Sequence, residues 1–258
     1  MNISILIVTF KERAEYVKDL INKVRSSVGN DIDILLAING NNEELTDESY
    51  RKEMLELCLA TPKCYPIICP EFKSLPKLWN TLVIYSRTEY NFIICDDVEF
   101  NNTEALNVIT NYVKETGEEF FTINGEFSFF VITKSMLHRL NYFDERLCGY
   151  GEEDGDIVHN YILLYNRYLP RLNIDGIRNK ALYDIKTEHL DTHVANKPRF
   201  NREFINVKYK EDASGICGMN PVPLKRVLHT KQQYPYEMFV KYNKHNIKKF
   251  DKILLKYD

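Results

Sequence analysis

A chain of 258 residues, 44% of them hydrophobic, is long enough to bury a substantial core and fits one large domain or one domain with an appendage. Its 34 basic residues stand against 37 acidic ones for a net charge of -3, so no global field gathers nucleic acid or an anionic membrane, and nucleic acid is not expected as a partner. The apolar ISILIVTF near the start has no basic leader and is too short to span a bilayer, and no other stretch reaches membrane-helix length, so a chain without a transmembrane segment, kept in the cytoplasm, is expected.

Ile3 to Phe10 is a continuous, β-branched apolar run, the pattern of a strand covered on both faces in a parallel sheet. Tyr16, Val17, Leu20, Ile21 and Val24 then recur at helical spacing, and IDILLAI ends at Asn39 and Gly40, which completes a strand, helix, strand unit. The pattern repeats with a helix within Ser49 to Leu59, a strand around Tyr65 to Cys69, a helix from Pro76 to about Tyr85 and the strand YNFIIC before Asp96. Such alternation predicts a doubly wound, mostly parallel sheet, whose ligands bind beyond the carboxyl ends of the strands, here Thr9, Asn39 and Asp96. A helix over about Thr103 to Glu115, the strands FFTI and FSFFVIT, a turn region, and a helix from Ile157 to Tyr165 follow. Beyond Pro170 the pattern weakens, and the Lys- and Tyr-rich stretch from Tyr234 to Asp258 reads as a helical appendage that packs on the domain or meets a partner.

Cys58, Cys64, Cys69, Cys95, Cys148 and Cys217 form no CxxC pair and lack the His spacing of a zinc site, so free core thiols are expected. Cys64 and Cys69 are the pair that could bridge in an oxidising compartment.

Three constellations carry possible chemistry. Asp96 and Asp97 stand together where a buried strand leaves the sheet; a divalent cation with a diphosphate would neutralise them, although Asp is also common in plain strand-end turns. GYGEEDGD places Glu152, Glu153, Asp154 and Asp156 at a helix start. Acidic residues cap helices through the dipole, but four exceed what a cap requires, and a carboxylate held there should stay ionised as a general base must. EHLDTH offers His189 and His193 without the HExxH of a zinc protease, followed by Lys197, Arg199 and Arg202, which could meet phosphate oxygens. No GxxxxGK[ST], no GxGxxG after the first strand and no GxSxG occurs, which removes support from P-loop hydrolysis, a standard dinucleotide dehydrogenase and an α/β-hydrolase.

In order, ILIVTFKER, PKLWNTLVIYSRTEYNFIICDDVEF and FVITKSMLHRLNYFDERLCGYGEEDGDI resemble the first turn, the acidic strand end and the acceptor-side segment of family 2 glycosyltransferases and close GT-A relatives. The third is similar to the corresponding stretch of the β-1,4-galactosyltransferases. The resemblance, in register over roughly residues 1–205, implies a GT-A (nucleotide-diphospho-sugar transferase) fold; the domain is read as 1–210, and 211–258, which the resemblance does not explain, as a helical extension. It also implies a nucleotide-sugar pocket of Thr9, Phe10, Glu12, Asn39, Lys77, Asn80 and Asp96, and a metal site of Asp97 and His193, with His189 as the substitute. Asn39 stands where the family usually has Asp, and Cys95 and Val98 flank the pair in place of a full DxD.

So read, the chain is a metal-dependent inverting glycosyltransferase. Asp97 and His193 would hold Mn2+ or Mg2+ on the diphosphate of a nucleotide-sugar, best a UDP-sugar. Asp154 would take the proton from the hydroxyl of a glycan or other acceptor, with Glu153 helping to position that hydroxyl. The alternatives are a nucleotidyltransferase, whose Gly-rich opening loop is missing after Phe10, and a non-catalytic carbohydrate-binding protein on the same fold.

Overall fold

The structure, a computed structural model, describes residues 2–10, 13–40, 48–147 and 151–180 together with Asn201 and Ile205. The extension 211–258 therefore lies outside the described residues, as do Cys148 and Cys217. In chain order the elements are β1 (Ile3–Thr9), α1 (Ala14–Val28), β2 (Ile34–Ile38), α2 (Glu48–Ala60), β3 (Cys64–Ile68), α3 (Leu75–Tyr85), β4 (Tyr90–Cys95) and β5 (Val98–Phe100). They continue with α4 (Ala105–Thr116), β6 (Phe120–Ile123), β7 (Glu126–Thr133), α5 (Lys134–Arg139), α6 (Glu153–Tyr165), β8 (Arg171–Leu172) and β9 (Ile177–Asn179). The expected turn region after β7 opens with the helix α5, and α6 begins within the acidic run rather than after it.

Seven strands form one sheet in the order β3-β2-β1-β4-β7-β6-β8, and β5 pairs with β9 in a second. The first four strands are mutually parallel, whereas β7 runs antiparallel to both β4 and β6. The sheet is thus mixed with a parallel half, and its switch from parallel to antiparallel falls beside β4.

Residues of alternate parity on β1, β2 and β4, among them Ile5, Leu36 and Ile94, join Leu20 and Ile21 of α1, Met54 of α2 and Ile109 of α4 in one apolar cluster. Residues of the other parity, such as Leu6, Ala37 and Ile93, are fully buried as well. Burial on both faces is why these strands read as unbroken apolar runs instead of alternating ones. Between β6 and β7, Asn124 and Gly125 both take the left-handed conformation that a tight hairpin requires. The Asn124 amide also donates to the carbonyls of Ile174 and Ile177 at 2.8 and 2.9 Å, and so fixes the start of β9.

Two compact units interleave along the chain. One takes its described residues from Met1–Glu71, Thr81–Met136 and Pro170–Thr187 and contains every strand among the described residues. The other takes them from Phe72–Asn80, Leu137–Leu169 and Glu188–Asp258 and contains α6.

Cys58, Cys64, Cys69 and Cys95 carry free thiols. The neighbour of Cys64 is Cys58, its sulfur 3.6 Å away, and not Cys69; α2 runs into β3 through a turn that brings Cys58 and Cys64 together.

Gly40 is fixed by crowding. A Cβ there would lie 2.4 Å from the carbonyl carbon of Glu71, so the end of β2 and the segment after β3 approach backbone to backbone. Gly40→Ala should lower stability by about 1–3 kcal/mol, the usual cost of overpacking, read as a lower urea midpoint at unchanged slope. An unchanged midpoint would mean that the Glu71 backbone yields without cost.

Candidate active site

The strand register aligns the polar residues expected at the sheet edge. Thr9 pairs with Ile38, and Val8 with Cys95, so Thr9, Asn39 and Asp96 stand at the carboxyl ends of three adjacent strands. The Asn39 N–H donates to the Thr9 carbonyl at 2.9 Å, and both side chains are buried. Phe10 follows Thr9, and the chain turns back there, with the Arg13 N–H bonded to the Phe10 carbonyl at 2.9 Å.

Asp96 and Asp97 form the turn between β4 and β5, and both are buried. The Asp97 backbone is held from a distant part of the chain, its carbonyl accepting from the Lys180 N–H at 2.8 Å. Arg13 spans the pair, with Nη1 2.5 Å from Asp97 Oδ2 and 3.3 Å from Asp96 Oδ1. Burial pushes the Asp96 carboxyl well above its ordinary value; Arg13 pulls it back, and Asp97 adds to the rise. The guanidinium responds in kind: burial opposes its charge, but Asp96 and Asp97 outweigh burial and hold it protonated. Arg13 carries no signal in the sequence beyond being one charge in KERAE. Glu126, at the start of β7, was equally silent. Burial and the charge of Asp97 raise its carboxyl, and Glu126 Oε2 is buried with no hydrogen-bond partner.

Asp96 Oδ2 and Asp97 Oδ1 are likewise buried with no hydrogen-bond partner. Such oxygens cost free energy unless a cation or donor meets them, and carboxylate oxygens are the ligands that Mg2+ and Mn2+ prefer. Among the described residues no group of three or more His, Cys, Asp or Glu side chains is gathered to hold a metal. The two carboxylates have the donor chemistry of a divalent-cation site. His193, His189 and Glu12, as well as Lys197, Arg199 and Arg202, lie outside the described residues.

The acidic run occupies the other unit. Glu152 sits before α6 in the left-handed region, φ 73°, which is rare for a residue with a side chain and marks a constrained turn. Glu152, Glu153 and Asp156 are buried, and Asp154 is the more open of the four. Asp154 Oδ1 accepts from the Gly155 N–H at 2.8 Å. Asn201, far along the chain, donates to the Gly151 carbonyl at 2.8 Å and so ties down the turn that carries the run. The helix start does not set the charge state as expected. Burial raises Asp154, against the pull of the Gly155 N–H, and pushes Glu153 up from 4.5 to about 8, with the neighbouring Asp154 adding to it. Desolvation outweighs the local N–H groups because these carboxylates are buried rather than on a surface helix.

Lys77 and Asn80, expected near the nucleotide, are engaged within this unit. Asn80 is fully buried, donates to the Phe143 carbonyl at 2.9 Å and to Glu145 at 3.0 Å, and accepts from the Phe143 N–H at 3.0 Å. Lys77 Nζ lies 3.0 Å from Glu145 Oε2. Both ends of the Asn80 amide are used, so it positions the 143–145 turn instead of offering a free group to a ligand.

No protein-family model and no curated protein sequence matches the chain. Solved structures do. The glucosyl-3-phosphoglycerate synthase of Mycobacterium tuberculosis, determined with Mn2+, UDP and glucosyl-3-phosphoglycerate, superposes with a TM-score of 0.58 at 11% identity over 83% of this chain and 82% of that one. The chain has a GT-A fold. S. aureus TarS residues 1–349 share this GT-A fold with a TM-score of 0.55 at 15% identity, covering 81% of this chain and 72% of that one. The mannosyltransferase PcManGT from Pyrobaculum calidifontis, determined with GDP-Man and Mn2+, gives 0.53 at 8% identity over 67% of this chain. The present chain spans about half, 54%, of that mannosyltransferase. No helix among the described residues is long and apolar enough to cross a membrane.

The raised Glu153 carboxyl has a consequence for stability. It keeps its proton to a higher pH in the folded chain than in the unfolded one, so between about 4.5 and 8 the folded state binds more protons and stability falls as pH rises. The slope should approach about 1.4 kcal/mol per pH unit. Glu153→Gln, a neutral isostere, should flatten that part of the profile in urea melts at stepped pH. A profile unchanged by the substitution would place the burial cost elsewhere.

Proposed function

We propose that this protein is a metal-dependent inverting glycosyltransferase that moves a sugar from a nucleotide-sugar, best a UDP-sugar, to a hydroxyl of a glycan or other acceptor. The observation that carries this reading is the buried Asp96–Asp97 turn at the end of β4, with an unpartnered oxygen on each carboxylate, on a GT-A sheet. Support for the donor class comes from the solved structures of that fold: PcManGT binds GDP-Man with Mn2+, and the mycobacterial synthase binds UDP with Mn2+ or Mg2+.

In this proposal Thr9, Phe10, Asn39 and Asp96 line the nucleotide, with Glu12 beside them. Lys77 and Asn80 hold Glu145 and the 143–145 turn, and their part in donor binding rests on the family resemblance. Asp97 would hold Mn2+ or Mg2+ with His193 as the second protein ligand, and the cation would supply positive charge that stabilises the diphosphate leaving group. Asp154 accepts the proton of the attacking hydroxyl; its pKa, raised by burial, brings its basicity closer to working pH than that of an ordinary Asp. Glu153 positions the acceptor. Attack from the face opposite the leaving group inverts the anomeric centre. The role of Asp154 rests on the similarity of its segment to the β-1,4-galactosyltransferases and on its being the most open carboxylate of the run.

A thermal-shift screen of UDP, GDP, CMP and TDP, each with and without Mn2+, reads donor class directly, because a ligand that binds only the native state raises the melting temperature. A shift with one nucleotide that depends on Mn2+ is expected. No shift with any of the four favours the non-catalytic carbohydrate-binding alternative. Asp154→Asn keeps the acceptor that Gly155 uses, and should lower kcat by a factor of about 100 or more while leaving donor affinity within about twofold. Retained turnover would remove Asp154 from the mechanism.

A further inference from the structure

Arg13 occupies a position that its residue type does not favour. It is the N-cap of α1 and makes no side-chain cap hydrogen bond, although helix N-termini attract Ser, Thr, Asp or Asn and disfavour a cation. What holds it there is the turn to Phe10 and the two carboxylates. Its side chain is 12% exposed, and the guanidinium stacks over the Phe10 ring at 5.2 Å while one nitrogen serves both Asp96 and Asp97. The oxygen that Arg13 uses on Asp97 is Oδ2, and the one left unpartnered is Oδ1. One positive charge thus faces two buried carboxylates, each with an oxygen to spare.

We propose that Arg13 is the resident counter-cation of the Asp96–Asp97 pair, which a divalent cation must displace or repel, and which then serves as a ligand for the diphosphate arriving with that cation. The identity of the diphosphate rests on the glycosyltransferase reading above; the competition between Arg13 and the cation does not. A guanidinium suits both tasks, since it forks onto carboxylate and phosphate oxygens alike and stays charged when buried. The consequence is coupling. The cation alone binds weakly because like charges meet, and the diphosphate removes that penalty by giving Arg13 a new partner.

Direct Mn2+ titration, by calorimetry or by the paramagnetic signal of free Mn2+, tests this without any turnover. Arg13→Gln should bind Mn2+ alone about tenfold or more tightly than the wild type, the scale of one charged contact. UDP should then raise Mn2+ affinity by a smaller factor in the variant than in the wild type. A purely structural Arg13 would give the opposite sign, with weaker Mn2+ binding in the variant. Equal or weaker Mn2+ binding overturns the proposal, as does an absence of Mn2+ binding in both proteins. Should Arg13→Gln not fold, Arg13→Met keeps the length and apolar stem without the charge. It should bind Mn2+ more tightly than the wild type, and equality overturns the proposal there as well. The two levels separate cleanly. Tighter Mn2+ binding in the variant with no sugar transfer by the wild type upholds Arg13 and removes the enzyme reading. Unchanged Mn2+ binding with sugar transfer does the reverse.

Discussion

Two adjacent carboxylates buried at the end of a central strand cannot stand uncompensated, and the strand-end architecture of the sheet unit follows from that constraint. Moving a carboxylate out of water costs several kcal/mol unless a cation or donors meet it. Here the compensation comes from Arg13 on one side and leaves Asp96 Oδ2 and Asp97 Oδ1 unmet. The turn that carries the pair is locked by the Lys180 N–H, and the segment that delivers Lys180 is itself placed by Asn124 at the β6–β7 hairpin. A short stretch after β8 is therefore built into the site through hydrogen bonds to its backbone, which no sequence motif announces.

The second unit solves the burial of acids differently. Its Asp144–Arg146 and Lys77–Glu145 pairs are internally neutralised, whereas the Glu152–Asp156 run concentrates four carboxylates with burial raising two of them. A carboxylate in that state is a better proton acceptor than one kept fully ionised in water, provided that it is the accessible one. Asp154 meets that condition better than Glu153, which is buried more deeply. Asn201 and Asn80 hold turns in place and so help to determine where the nearby carboxylates stand.

Much of the fold was legible because its strands are covered on both faces. Unbroken apolar runs such as ILIVTF and NFIIC, separated by amphipathic segments, are what a parallel sheet requires, and the observed elements from β1 to β4, together with α4, fall close to the expected ones. What was not legible is short or depends on partners: β5, β8 and β9 have two or three residues each, too few for a period to show. The helix α5 contains a single turn or so and sits where polar residues suggested a turn. The cysteines of the described residues are free thiols as expected, and the proximity of Cys64 to Cys58 depends on how α2 turns into β3.

The candidate site divides along the same line. By itself the sequence determined that polar residues close the apolar strands at Thr9, Asn39 and Asp96, and that acids crowd the start of a late helix, because residue type and periodicity are local properties. Only the tertiary structure decided which charges meet. Arg13 is 83 residues from Asp96 in the chain, Asn201 is 50 from Gly151, and Asn80 is 63 from Phe143; contacts at such separations leave no periodic trace in the chain. Protonation was decided there too, since the shift of a carboxyl depends on how much water the rest of the fold removes from it.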